Sequence, residues 1–364
     1  MNENKKCRER AFHKNSIHSK PKLIIHCICQ PVLASLICLL IPASVYSCSS
    51  ITEASETLEK ESKGTRLRIK KDGSSGAAST DTLDILTFCN DALMRLDSYT
   101  RLEGRESDSI CIASQAGEKI IFICANSQRD RNGWAGTDSY HSLGETYIEI
   151  EKERKNFPFM RAECRIRAGR RPDKSIGMTS VISEIHLRSI RCDFSGKSYR
   201  GIPIEDPKVY LINVNAQVPM NSSGPWTPER IVNHGYLEPD DMSAFKEPDI
   251  IFQDMKTEIT ETMSYPDIRL FCYPNDCEKE SPGSPFTKLV IEGMIDGTTC
   301  YWSIPVNRPP YGEGGILPHC RYTFDILIKN KGTDNPDTPT VIDDNEISFT
   351  ISEWKEKEEY NISY

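Results

Sequence analysis

Residues 321–364 read "RYTFDILIKNKGTDNPDTPTVIDDNEISFTISEWKEKEEYNISY". A strand-like run over Tyr322–Ile328 gives way to a polar linker, and a second strand-like run starts at Ile347. Ile347, Phe349 and Ile351 fall on one face at period two, with Ser348, Thr350 and Ser352 on the other, and Tyr360, Ile362 and Tyr364 repeat the alternation. A strand cannot leave one row of amides and carbonyls unpaired and an apolar face in water. Two partners are open to it: its own sandwich, or a sheet of another molecule completed by strand addition. Pro336 and Pro339 favour an extended spacer over a tight hairpin without forbidding a fold back.

The rest of the chain reads the same way. "DTLDILTFCN", "SICIAS", "KIIFICANSQ", "TYIEIEKE", "FMRAECRIRAG", "SEIHLRSIRCDFSG", "KVYLINVNAQV", "DIRLFCYPN", "TKLVIEGMI", "TTCYWSIPV" and "RYTFDILIK" are short β-branched or aromatic runs bounded by Gly, Pro, Asn or Asp. "SICIAS" and "KIIFICANSQ" have hairpin spacing across "QAGE". The one helical candidate, "DDMSAFKEPDIIFQDMKTEI", is interrupted by Pro248. "YRGIPIEDP" clusters Gly201, Pro203 and Pro207 between two strand-rich blocks. The expectation is an all-β chain of two successive β-sandwiches, and 364 residues suffice for two cores.

The N-terminal residues read as a targeting segment. Lys5, Lys6, Arg8, Arg10, Lys14, Lys20 and Lys22 precede the apolar run "LIIHCICQPVLASLICLLIPASVYSC", the plan of a bacterial export signal. Val45-Tyr46-Ser47-Cys48 resembles a lipobox, in which Cys48 would carry the lipid; an uncleaved membrane anchor is the competing reading. Residues 49–80 are a polar tether in which Arg66 and Arg68 are open to a trypsin-like protease. Beyond residue 47 the chain holds 38 basic against 51 acidic side chains. A surface that negative repels phosphate backbones, so nucleic acid is not an expected partner.

Nine cysteines follow Cys48, most of them inside apolar runs where a thiol packs as a small hydrophobe. In "FCYPNDCEK", Cys272 and Cys277 flank a Pro-Asn turn at a separation that permits a bridge. The sequence holds no GxSxG, no HExxH, no phosphate-cradling glycine loop and no histidines at ligand spacing. No catalytic residue, metal or cofactor is expected. Trp134, Trp226, Trp302 and Trp354 are either core fillers or sugar-stacking platforms.

The segment "HCRYTFDILIKNKGTDNPDTP…FTISEW" is similar to the C-terminal region of the fimbrillins, subunits of type V pili of anaerobic Gram-negative bacteria. "KIIFICANSQ", "EIHLRSIRCDFSG", "KVYLINVNA" and "TKLVIEGMIDGTTCYWSIPV" resemble other strands of that family, in the same order. The resemblance implies two tandem transthyretin-like β-sandwiches with a C-terminal extension strand. It divides the chain into a lipoprotein signal peptide (1–47), a lipidated propeptide (48–80), an N-terminal sandwich (81–200), a C-terminal sandwich (201–332), and a linker with a donor strand (333–364). It further implies that an Arg-specific protease cuts at Arg66 or Arg68, and that Ile347, Phe349, Ile351 and Trp354 of one subunit fill the groove this opens in a neighbouring fimbrial subunit. Burying three or four such side chains is worth on the order of 5–10 kcal/mol before ordering costs. The expected place is the outer membrane before processing and the surface fimbria after it, in cell adhesion. An anchor subunit retaining its lipid, a monomeric glycan-binding lipoprotein and a secreted hydrolase are the rivals.

Overall fold

A computed structural model describes residues 66–71, 81–103, 110–111, 114–168, 174–234, 250–281, 283–309, 312–340, 347–353 and 358–363. In chain order the strands begin with β1 (Arg66–Lys71), β2 (Thr82–Cys89), β3 (Leu96–Glu103), β4 (Ile110–Cys111) and β5 (Gly117–Ala125). A short helix α1 (Tyr140–Gly144) precedes β6 (Tyr147–Glu149), β7 (Met160–Ala168), β8 (Lys174–Ser180) and β9 (Ser183–Cys192). Next come β10 (Glu205–Ile212), β11 (Val214–Asn215), β12 (Gln217–Pro219), β13 (Ile231–Val232), β14 (Phe252–Asp254) and β15 (Ile268–Cys272). The last five are β16 (Lys288–Ile295), β17 (Thr298–Pro305), β18 (Cys320–Ile328), β19 (Ile347–Glu353) and β20 (Glu358–Ser363).

These strands build an eight-stranded sheet in the order β3-β2-β5-β7-β8-β20-β1-β4 and two four-stranded sheets, β14-β10-β16-β17 and β15-β9-β18-β19. Two short ladders, β11-β13 and β12-β6, complete the pairing. All-β is therefore the fold class, and all described residues fall within one unit, Ser55–Tyr364. Local chemistry fixes the hairpins. Between β16 and β17, Asp296 and Gly297 both take positive φ (52° and 69°) in a two-residue turn that pairs Ile295 with Thr298, the conformation Asp-Gly favours.

One apolar core runs through most of these elements. It draws Leu86 and Phe88 from β2, Phe122 from β5, Leu187 and Ile190 from β9, Leu289 and Ile291 from β16, Trp302 from β17, and Tyr322 and Phe324 from β18. A second cluster lies on the other face of the eight-stranded sheet: Leu83, Ile85, Ile121, Ile123, Ala125, Met160, Ala162, Ile166 and Met178. β2 and β5 are thus buried on both faces, which is why "DILTF" and "KIIFICA" read as nearly continuous apolar runs rather than alternating ones.

Three details differ from the sequence reading. β4 does not pair with β5 across "QAGE"; it pairs with β1, because β2 and β7 already occupy both edges of β5. β9 is shared with later strands, running antiparallel to β15 and parallel to β18. In the helical candidate, Phe252–Asp254 is instead a strand, paired with Lys208–Tyr210.

Candidate assembly site at the last two strands

β18 alternates buried Tyr322, Phe324, Ile326 and Ile328 with Arg321 and Asp325 on the opposite face. β19 runs antiparallel to it, with Ile351 opposite Tyr322, Phe349 opposite Phe324 and Ile347 opposite Ile326. Opposed residues share a face, so the three apolar positions of β19 stand at core-side register. Thr350 and Ser352, on the other face, are exposed. The strand is therefore hydrogen-bonded to the sheet of its own chain. Among the described residues, no strand pairs with its far edge. Trp354 lies outside the described residues, as does Cys48.

The polar face beside it is charged and paired. Glu184, 2% exposed at its side chain, meets Arg321 Nε at 2.9 Å, and Arg188 and Ser189 both donate to Asp325. The Arg188 guanidinium holds the Asp325 carboxyl below its ordinary range. His186 Nε2 lies 2.7 Å from Asp267 Oδ1. These ion pairs tie β9 to β18 and to the residue that precedes β15 across the outer face.

The tail then crosses to the other sheet. β20 inserts between β8 and β1: Tyr360 pairs with Ile176 and Lys71, and Ile362 with Lys174 and Ile69. β1 carries both arginines; Arg68 stands opposite Ser363 and Arg66 opposite Cys111. β4 lies between β3 and β5 in sequence yet pairs at the opposite end of the sheet from β3. β20, β1 and β4 extend the sheet as a further wall beyond β8, the last strand in that order to contribute to the second apolar cluster. At one end of that cluster Lys119, 2% exposed, binds Asp97 at 2.9 Å.

The linker is not a free spacer. Thr333 and Tyr301 exchange backbone hydrogen bonds at 2.8 and 2.9 Å, Thr340 N donates to Ser303 O at 3.0 Å, and Trp302 Nε1 donates to Asn330 O at 2.9 Å. Gly332 permits the approach: a Cβ there would meet Tyr301 O at 2.3 Å. Gly332→Ala should therefore cost about 1–3 kcal/mol, read as a lower denaturant midpoint at unchanged slope.

Cys272 and Cys277 are both buried and both free thiols. The bridge their spacing permits is not formed, since Cys272 ends β15 in the core and the Cys277 thiol is turned to the Ser284 carbonyl oxygen at 3.3 Å. Burial pushes both thiols above their ordinary value. Trp134, Trp226 and Trp302 are 3%, 7% and 2% exposed, which removes them as stacking platforms. Among the described residues no three His, Cys, Asp or Glu side chains converge to hold a metal ion, and no helix is long and apolar enough to cross a membrane.

Sequence reasoning found the β19 face but missed that β20 joins β1. The alternation of Tyr360, Ile362 and Tyr364 was the available signal; its partner strand, nearly the whole chain away, left none.

No family model and no curated protein matches the chain by sequence. Solved structures do. The chain aligns with a protein of Parabacteroides distasonis proposed to act in cell adhesion, at 14% identity and a TM-score of 0.57, covering 81% of this chain and 98% of that one. A similarly described protein of Bacteroides eggerthii aligns at 14% identity and a TM-score of 0.58, covering 80% and 96%. A fimbrilin of Porphyromonas gingivalis aligns at 12% identity and a TM-score of 0.58, covering 80% and 97%. The fold of this chain is the fold of these fimbrial and adhesion proteins.

Proposed function

We propose that this protein is a structural subunit of a type V fimbria, a non-enzyme of the cell surface that polymerises by donor-strand exchange and supports adhesion. In this reading residues 1–47 direct export, Cys48 carries the lipid that holds the precursor at the outer membrane, and 48–80 is the propeptide. The chain forms tandem transthyretin-like sandwiches; the resemblance divides them at 200/201, whereas the pairing of β9 with β15 and β18 favours a change-over ahead of Ser183. The partners are neighbouring subunits and an Arg-specific protease, and no cofactor is required.

The observation that carries the reading is the neighbourhood of β1 and β20. The strand holding both arginines lies against the last strand of the tail, in the wall beyond β8 of a sheet with an apolar face. Cutting at Arg66 or Arg68 would free part of that wall, exposing unpaired backbone and apolar surface together. A tail from a second subunit, with Ile347, Phe349, Ile351 and Trp354 leading into β20, has the pattern to replace it. The self-paired tail is then the closed precursor.

Arg-specific digestion of the full precursor, followed by size-exclusion chromatography and electron microscopy, tests this. Multimers should form from the cut protein, and none from a chain lacking residues 341–364. Cut protein that stays monomeric overturns the reading. A second reading, an anchor subunit that keeps its lipid and its N-terminal strand, is favoured by the pairing of β1 along both edges, to β20 and to β4. A protease needs an extended, unpaired segment; survival of β1 under trypsin digestion that cuts the tether ahead of it, at Lys60 or Lys63, would select the anchor.

A further inference from the structure

The polar segment between β18 and β19 has a composition suited to a flexible connection, yet it is held by three different elements. Lys288, on β16, is 2% exposed and sends its ammonium to Asp337 O at 2.7 Å, Asp337 Oδ1 at 2.8 Å and Glu280 Oε1 at 3.0 Å. An ammonium has three donors, and all three are used. Asn213 Nδ2, which follows β10, adds a fourth contact to Asp337 Oδ1 at 3.1 Å. β17 contributes the rest: the Tyr301–Thr333 exchange, Ser303 N to Thr340 Oγ1 at 3.0 Å, and Ser303 Oγ donating to Pro336 O. Asn335 folds the segment locally, accepting from Asp337 N at 2.8 Å.

We propose that Asn330–Thr340 is a strap latched to the body by Lys288, and that the displaceable arm of this chain begins beyond Thr340. A buried ammonium left short of acceptors is costly, so the strap is the part of the connection least free to leave. Traction on the arm would then be delivered to β16 and β17 through the strap, instead of peeling β18 from its sheet. That the arm is exchanged between subunits rests on the function proposed above; the latch itself does not.

Hydrogen exchange on the full, uncut chain tests the latch. The amides of Thr333, Asp337 and Thr340 should exchange as slowly as those of β17. Asp337→Ala should speed exchange across 331–340 by about tenfold or more, while β9 and β16 keep their protection. Lys288→Met, which removes the ammonium without stranding a charge, should do the same and covers the case in which the first variant unfolds. Exchange in the parent at the rate of an unstructured peptide, or equal protection in the parent and a folded Lys288→Met variant, overturns the proposal. Monomers that fail to assemble but keep a protected strap count against fibre formation alone.

Discussion

Glu153→Gln should abolish a fall in stability of up to about 3 kcal/mol that the unaltered protein shows between pH 4.5 and 7. Glu153 is buried, 2% exposed, on the segment joining β6 to β7. Its carboxyl accepts from Phe159 N at 3.1 Å and from Gln128 Nε2 at 3.3 Å, and no cation among the described residues forms an ion pair with it. Burial pushes it up to about 7, against the pull of those two donors and of the Arg154 charge. The sign follows. In the unfolded chain the group ionises near its ordinary value, whereas in the folded protein it holds its proton until about pH 7. Unfolding therefore releases a proton across this window, and stability declines as pH rises. Below it both states are protonated and nothing is lost. Denaturant titrations at pH 4.5, 6 and 7.5 should show that slope in the parent and lose it in the variant. The variant gives back part of the gain, because its new amide nitrogen meets Gln128 Nε2, itself a donor. An identical pH slope in both proteins would refute the assignment.

Trp302→Ala should cost about 3–5 kcal/mol, the range for emptying a large aromatic from a close-packed core. Trp302 stands opposite Ile291 on β16 and belongs to the core that links both halves of the described chain. Its indole N–H also caps Asn330 O at the start of the strap. Trp302→Phe separates the two contributions: it keeps most of the packing, leaves a smaller void and strands one carbonyl, and should cost about 1–2 kcal/mol. Equal losses in the two variants would mean that the hydrogen bond, and not the packing, dominates. Urea midpoints at constant slope are the measurement.

The strands were legible because the alternation of buried and polar positions is local. "MRAECRIRA" keeps the apolar–polar alternation over its whole length and "CRYTFDILI" keeps it as far as Ile326, and both are strands. The Asp296-Gly297 turn was legible for the same reason. Pairing was harder. β5 has nearly the same composition on both faces, so nothing in it says that β2 and β7 flank it while "SICIAS" goes elsewhere. The strap was misread as an extended spacer because its polar side chains look solvated. What holds them is a lysine 49 residues upstream, whose burial no local pattern reveals. Glu153 was invisible too, since "IEKERKN" reads as surface until Phe159 and Gln128 enclose the carboxyl. Electrostatic context is made by the fold, and a linear pattern does not carry it.

The pairing of Arg68 with Ser363 joins opposite ends of the described chain. β1 lies far ahead of β20 in sequence, so during synthesis it emerges long before the strand that pairs with it. Closure of that wall therefore waits on β20, and until then the β8 edge presents unpaired backbone to any passing strand. A chaperone that occupies the gap, or a local concentration low enough to keep copies apart, would decide whether the newborn protein closes on itself or captures a sibling.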